Sequence, residues 1–160
     1  MEADRRLREM VLQAVPQQPP FRFLDEIREM DAEGIVGAYR FRRDEYFYRG
    51  HFPGRPVTPG VILIEAMAQT GVVAHGLYLS LLQEGNGGEE WRKLTTLFTL
   101  AEEVEFLGIV VPGELIVLRG RKLYFRRNSL KAAVTAEREN GEMVCRGTLA
   151  GMGGKMIHEG

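Results

Sequence analysis

Residues 61–82 are strongly apolar, and no other segment restricts the fold as much. The run is nearly long enough to cross a bilayer. It nevertheless carries Glu65, Gln69, His75 and Ser80, and no basic residue flanks it closely. An ionisable group inside a membrane span is costly and rare. The segment is therefore expected to be a helix enclosed by protein rather than a membrane span. A helix apolar on all faces must be surrounded. Ala66, Ala68, Gly71, Ala74 and Gly76 keep its surface low, so neighbouring backbone can approach closely.

The remaining pattern supplies the material for that enclosure. Leu7, Met10, Val11 and Ala14 recur at helical spacing, which predicts an amphipathic helix within residues 1–15 that Pro16, Pro19 and Pro20 terminate. Strands are expected over residues 21–30 and 35–42, joined by a turn at 31–34. Residues 43–60 are loop-like, with Pro53, Pro56 and Pro59 set among Gly50, Gly54 and Gly60. Thr58 is the expected N-cap of the apolar helix, and Pro59 fits its first turn. Gly85-Asn86-Gly87-Gly88 should follow the helix as a flexible loop. Four further strands are expected over residues 94–106, 114–126, 130–138 and 143–150. Turns are expected at Pro112-Gly113, at Asn128-Ser129 and at Asn140-Gly141, the last a type I′ hairpin, and residues 151–160 as a flexible tail. One long apolar helix among about six antiparallel strands is an α+β pattern. An antiparallel sheet curled around that helix, the hot-dog fold, buries it economically in a single domain over residues 1–160.

Composition narrows the function. A net charge of -1 provides no overall field to recruit nucleic acid or an anionic membrane. The one cysteine, Cys145, excludes an intrachain disulfide and a cysteine-based zinc site. It reads as a small buried residue and suits a reducing cytoplasm. The first eight residues are charged throughout, without the apolar stretch of a signal peptide.

The chemistry concentrates between Gly50 and Gln69. An imidazole, His51, sits on a Pro/Gly-rich loop, and a carboxyl, Glu65, lies in the first turns of the apolar helix. Imidazole titrates near neutrality, so it can take a proton and return it. Glu65 is flanked by Ile62, Leu63, Ile64, Ala66 and Ala68, and desolvation there disfavours its anion. The helix N-terminus pulls the other way by favouring negative charge. A lone loop histidine is commonly a surface residue, whereas a glutamate is almost never buried without a partner. His75 reads as a core or interface histidine and His158 as a tail residue.

The string from Gly50-His51-Phe52-Pro53-Gly54 through Pro56 and Pro59-Gly60 to Glu65-Ala66-Met67-Ala68-Gln69 resembles the signature of the (3R)-hydroxyacyl-[acyl-carrier-protein] dehydratases, the FabZ and FabA type. The likeness runs from about Val15-Pro16 to Gly151 and includes Val111-Pro112-Gly113. It implies that His51 removes the C2 proton and that Glu65 helps the C3 hydroxyl leave as water. It implies an active site shared across a dimer interface, within a homodimer or a trimer of dimers. The Gly60 amide would polarise the thioester carbonyl, and Phe52, Val61 and Gln69 complete the expected substrate contacts. Gln69, one turn after Glu65, could also orient it. No cofactor or metal is implied, since the thioester already acidifies C2. Glu rather than Asp at position 65 resembles the FabZ type and points to dehydration without isomerisation.

The chain departs from the family where Thr58 replaces Met, where Pro16-Gln17-Gln18-Pro19-Pro20-Phe21 replaces a Pro-His-Arg-Tyr-Pro-Phe run, and at Leu107-Gly108-Ile109. Those changes leave open a role in a specialised lipid or polyketide pathway. Arg40, Arg42, Arg43, Arg49, Arg55, Arg126 and Arg127 form a candidate docking set for an acidic carrier protein. Two alternatives share the fold: an acyl thioesterase using Glu65 to activate water, and a non-catalytic acyl-binding subunit.

Overall fold

The computed structural model describes residues 2–85 and 88–155. Helix α1 spans Arg5–Ala14, opened by Asp4, whose side chain accepts the Leu7 N–H at 2.8 Å. Strands β1 (Glu26–Met30) and β2 (Gly34–Arg40) follow, then a short 3₁₀ turn at Tyr46–Arg49. The apolar segment is one helix, α2, over Gly60–Glu84. Four strands complete the chain: β3 (Leu94–Phe106), β4 (Leu115–Arg126), β5 (Ser129–Arg138) and β6 (Met143–Lys155). They form one antiparallel sheet in the order β1-β2-β4-β5-β6-β3. The sheet wraps α2, so the main core joins Leu63, Ala66 and Met67 of the helix to Leu118, Val134 and Leu149 of β4, β5 and β6. This is the hot-dog arrangement. A second core lies under α1, where Val11 and Val15 meet Leu24, Ile27, Leu77 and Trp91.

The helix owes its depth to small residues. Between α-helical Gly60–Ala68 and His75–Glu84, the turn Gln69–Ala74 is a π-helix, buried at every position. A Cβ at Gly120 of β4 would sit 2.8 Å from the Gly71 Cα, and one at Gly71 would sit 2.6 Å from Val134 Cγ2. Helix and strand backbones therefore touch directly. By length and composition α2 could cross a membrane, but 72% of its most apolar stretch is buried in the fold, which accounts for its apolarity. His75 is fully buried, and its Nε2–H donates to the Asp31 carbonyl at 2.8 Å, tying α2 to the β1–β2 turn. Burial lowers its pKa.

The structure corrects parts of the sequence reading. Thr58 does not cap α2. Pro59 occupies that position and offers no side-chain acceptor, while the Thr58 hydroxyl pairs with Tyr48 Oη at 2.6 Å. Residues 21–25 precede β1 instead of belonging to it: the Phe21 and Phe23 backbones bond to Gln69 of α2, and pairing with β2 starts with the Asp25 N–H donating to Ala38 O at 2.8 Å. The two-residue turn with both φ values positive is Arg127-Asn128 (φ 52° and 61°), one residue before the turn expected at Asn128-Ser129 and not at Asn140-Gly141, the expected type I′ position. At Asn140-Gly141 only Gly141 has positive φ, and the Gly141 N–H bonds to Arg138 O at 3.0 Å, giving a longer bulged loop. The last strand does not end at Ala150. Gly151 to Lys155 pair with β3, because successive glycines let that strand pass α2, where a Cβ at Gly151 would meet Val72 at 2.6 Å. Asn86, Gly87, His158 and the rest of 156–160 lie outside the described residues.

The Gly71–Gly120 contact carries a stability prediction. Gly120→Val should destabilise the fold by about 2–3 kcal/mol through overpacking. Gly50→Ala, where nothing lies within 4 Å of the added Cβ, should stay within about 0.5 kcal/mol. Chemical denaturation of both variants checks the contrast.

Candidate active site

The His51 loop is closed by its own backbone. Phe52 and Arg55 exchange N–H···O bonds at 3.1 and 2.8 Å, and the Val57 N–H donates to His51 O at 2.9 Å. Gly54, at φ 73°, makes the reversal that the side chains of its neighbours would resist. Inside this loop His51 Nδ1 lies 2.8 Å from the Val57 carbonyl oxygen. A carbonyl only accepts, so Nδ1 carries the proton and neutral His51 presents a bare Nε2 lone pair. The Phe52 ring stacks on the imidazole with centroids 4.0 Å apart, and is itself half exposed. The expected base and the expected contact residue are thus neighbours, held in a fixed tautomer.

Glu65 is held from the other side. Its carboxyl is partly buried in the second turn of α2, and burial pushes its pKa up, with the Gln69 hydrogen bond opposing. Burial outweighs that hydrogen bond. Gln69 is fully enclosed: its Oε1 accepts the Phe23 N–H at 2.7 Å, and its Nε2 donates to Phe21 O at 2.8 Å. A backbone N–H only donates and a carbonyl only accepts, so the amide cannot be turned over. Its second N–H then donates to Glu65 Oε1 at 3.0 Å. That assignment makes Oε1 the acceptor and leaves Oε2 without a partner among the described residues. Gln69, expected among the substrate contacts, has no free polar group for a substrate. Its other expected role, a partner of Glu65, is the one the geometry supports.

The N-terminus of α2 lies between these groups in sequence. The Ile62 and Leu63 N–H groups bond to Pro59 O at 2.9 and 3.2 Å, whereas the Gly60 and Val61 N–H groups have no partner among the described residues. These are the free donors of a helix start, reinforced by its dipole. The approach is framed by Phe106, a residue the sequence reading missed. A Cβ at Gly60 would lie 2.8 Å from its ring, so any larger residue at position 60 would displace Phe106. Val61 points outward and is 72% exposed. Thr58 N–H donates to Val110 O at 2.9 Å, fastening the residues just before the helix to the 107–114 segment.

Within the chain, His51 and Glu65 share no hydrogen bond or ion pair among the described residues. The site as one chain presents it holds a base, an acid and amide donors on adjacent elements. No three His, Cys, Asp or Glu side chains gather as a metal site among the described residues. Cys145 is buried in β6, which raises its thiol pKa to about 11 and makes it a poor nucleophile. The candidate docking arginines separate. Arg42 is paired with Asp25 at 2.8 Å, and Arg40 donates to Gly113 O at 2.7 Å. Arg126 and Arg127 flank the β4–β5 turn, whose Asn128 lies near Ser80 at the far end of α2. Arg49 and Arg55 are exposed beside the His51 loop.

Comparison with known proteins agrees with this geometry. The FabA-like domain family matches residues 15–148. The chain is 36% identical over 140 residues to a 3-hydroxyacyl-[acyl-carrier-protein] dehydratase FabZ of Caldicellulosiruptor saccharolyticus, covering 87% of this chain and 92% of that protein. It is 35% identical over 136 residues to the FabZ of Acetivibrio thermocellus, covering 84% and 86%. Among solved structures, the dehydratase heterocomplex ApeI:P of Xenorhabdus doucetiae superposes with a TM-score of 0.70 at 15% identity, covering 91% of each chain. A Haemophilus influenzae thioesterase superposes at 0.56 and 15% identity, covering 84% and 82%. At such identities these two likenesses speak for the hot-dog fold alone. The sequence matches go further: the chain belongs to the FabA-like family, among its FabZ-type dehydratases.

Proposed function

We propose that this protein dehydrates (3R)-hydroxyacyl thioesters on an acyl carrier protein to trans-2-enoyl thioesters. The observation that carries the reading is a bare His51 Nε2 together with a partly buried Glu65 whose pKa burial raises and whose Oε1 is held by Gln69. His51 Nε2 takes the C2 proton. The C2–H electron pair becomes the C2=C3 bond, the C3–O bond breaks, and the leaving hydroxyl takes the Glu65 proton and departs as water. Negative charge that builds on the thioester oxygen during this step is met by the Gly60 N–H, with the Val61 N–H beside it, in a fixed orientation that needs no reorganisation. Phe52 and Val61 offer apolar surface to the acyl chain.

The site is completed by a second copy of the chain. Strand β3 pairs with β6 and is otherwise an open edge, on which Leu97, Phe98, Leu100 and Phe106 are exposed. A long apolar edge strand is normally covered. This one runs into the site through the Phe106–Gly60 contact, which supports an active site formed where two subunits meet. Arg49 and Arg55 beside the loop are the cations best placed to meet an acidic carrier protein. The protein works in the cytoplasm, in keeping with its single reduced cysteine.

A hydration–dehydration assay with carrier-protein thioesters tests the reaction. Wild type should interconvert 3-hydroxyacyl and trans-2-enoyl forms, and His51→Ala and Glu65→Gln should each lose about 10³-fold in kcat. Release of free acid would instead identify a thioesterase, and no turnover of any thioester an acyl-binding subunit. The pH dependence has a defined sign. Glu65 acts protonated, and burial raises its pKa above the ordinary 4.5, so dehydration should persist above that pH and fall as pH rises through the raised value. Glu65→Gln should lack this basic limb. Charge reversal at Arg49 and Arg55 together should raise KM about tenfold for carrier-bound substrate, with kcat unchanged and no change in KM for a pantetheine thioester.

A further inference from the structure

The two backbone groups that grip Gln69 lie on either side of one residue, Arg22. The C=O before Arg22 is Phe21 O and the N–H after it is Phe23 N, so the chain flanking Arg22 chelates the Gln69 amide. The Arg22 side chain reaches back ten residues, where its Nη2 donates to Leu12 O in the last turn of α1. A guanidinium suits that place because the C-terminal end of a helix carries partial negative charge. No carboxylate pairs with Arg22 among the described residues, and its Nε is buried without a partner. Arg22 is thus partly buried without an ion pair, and burial lowers its pKa. A cation held this way has a cost that its backbone contact must offset.

The other end of the connection is anchored. Helix α1 is fixed to the sheet by Ala3 N–H donating to Met30 O at 2.6 Å and by fully buried Val11. Between α1 and Arg22, Gln18 Nε2 donates to Val15 O at 3.1 Å and Phe21 N–H to Gln18 O at 2.8 Å, so the connecting segment is a folded strap. Phe23 is fully buried in an edge-to-face cluster with Phe21, Tyr39 and Phe47. The path runs continuously from α1 through Arg22 and the strap to Gln69 and Glu65.

We infer that Arg22 is a positioning residue for the acid: by clamping the Phe21–Phe23 strap to α1 it holds the Gln69 amide, and through it Glu65 Oε1, in place. This rests on the dehydratase reading for its kinetic consequence but not for its structural one. Arg22→Met should lower kcat about tenfold with KM little changed, and Arg22→Lys, which keeps a donor of similar reach, should recover to within about threefold. In a Gln69→Leu background the Arg22→Met loss should shrink below about twofold, because the two act in one line. Hydrogen exchange gives the readout independent of catalysis: in Arg22→Met the Phe23 amide should exchange at least about tenfold faster while β4 and β5 amides are unchanged. An unchanged Phe23 amide, a kcat loss additive with Gln69→Leu, or a lower Tm with kcat intact would each overturn the inference. Faster exchange at Phe23 in an enzyme with no dehydratase activity would leave the clamp standing and refute the reaction instead.

Discussion

The depth at which α2 sits in the sheet governs everything else. Gly71 and Gly120 allow helix and strand backbones to touch, and Gly151 admits Val72 at the other flank. Once the helix is that deep, its polar side chains lose water and must find partners within the protein. Gln69 finds two backbone groups and Glu65, and His75 finds the Asp31 carbonyl. The π turn from Gln69 to Ala74 is where this demand is greatest, since every residue in it is buried. The helix emerges from the sheet at its first turns and again at its last, residues 82–84. Packing and function are therefore coupled: the force that encloses the helix also decides which of its groups remains reactive.

The exposed start of α2 is made reactive by what it lacks. A Thr or Ser N-cap would place its oxygen on the amides of the first turn. Here Thr58 is turned to Tyr48, and Pro59 contributes no side-chain acceptor, so the Gly60 and Val61 amides have no partner among the described residues. An uncapped helix start sacrifices about 1 kcal/mol of local stability. In exchange the fold keeps two free donors and a dipole at the place where the proposed reaction would put charge on the thioester oxygen. The Thr58–Tyr48 bond and the Thr58–Val110 bond hold the preceding residues in that path, so the donors are rigid although uncapped.

Much of this was legible in the residues. The buried helix followed from apolarity combined with Glu65, Gln69 and His75, and the strands from alternation such as that of β5, which the structure repeats as regular in–out burial. The motif placed His51, Gly60 and Glu65 correctly on loop, helix start and second turn. What escaped depended on tertiary contacts. Thr58 looks like a cap because local rules favour it, and only a Tyr ten residues earlier diverts it. Phe106 carries no motif, and its importance comes from lying over Gly60. Arg22 looks like an ordinary strand cation until α1 is folded back beside it. The arginines grouped by sequence fell apart because β4 carries Arg126 and Arg127 to the opposite end of α2.

The fold alone does not separate a dehydratase from a thioesterase, since hot-dog proteins of both kinds superpose on this chain. The distinction lies in how protons are held. A carboxylate that activates water must be ionised, which a polar and solvated setting favours. Glu65 sits in a more enclosed setting, where burial raises its pKa against the opposing hydrogen bond that Gln69 donates to Oε1. His51 is arranged in the complementary sense, with its donor nitrogen consumed by Val57 O and its acceptor nitrogen left open. An open acceptor nitrogen and a carboxyl that burial biases toward its protonated form are complementary. Elimination of water can use such a pair at once, one on each of two adjacent carbons.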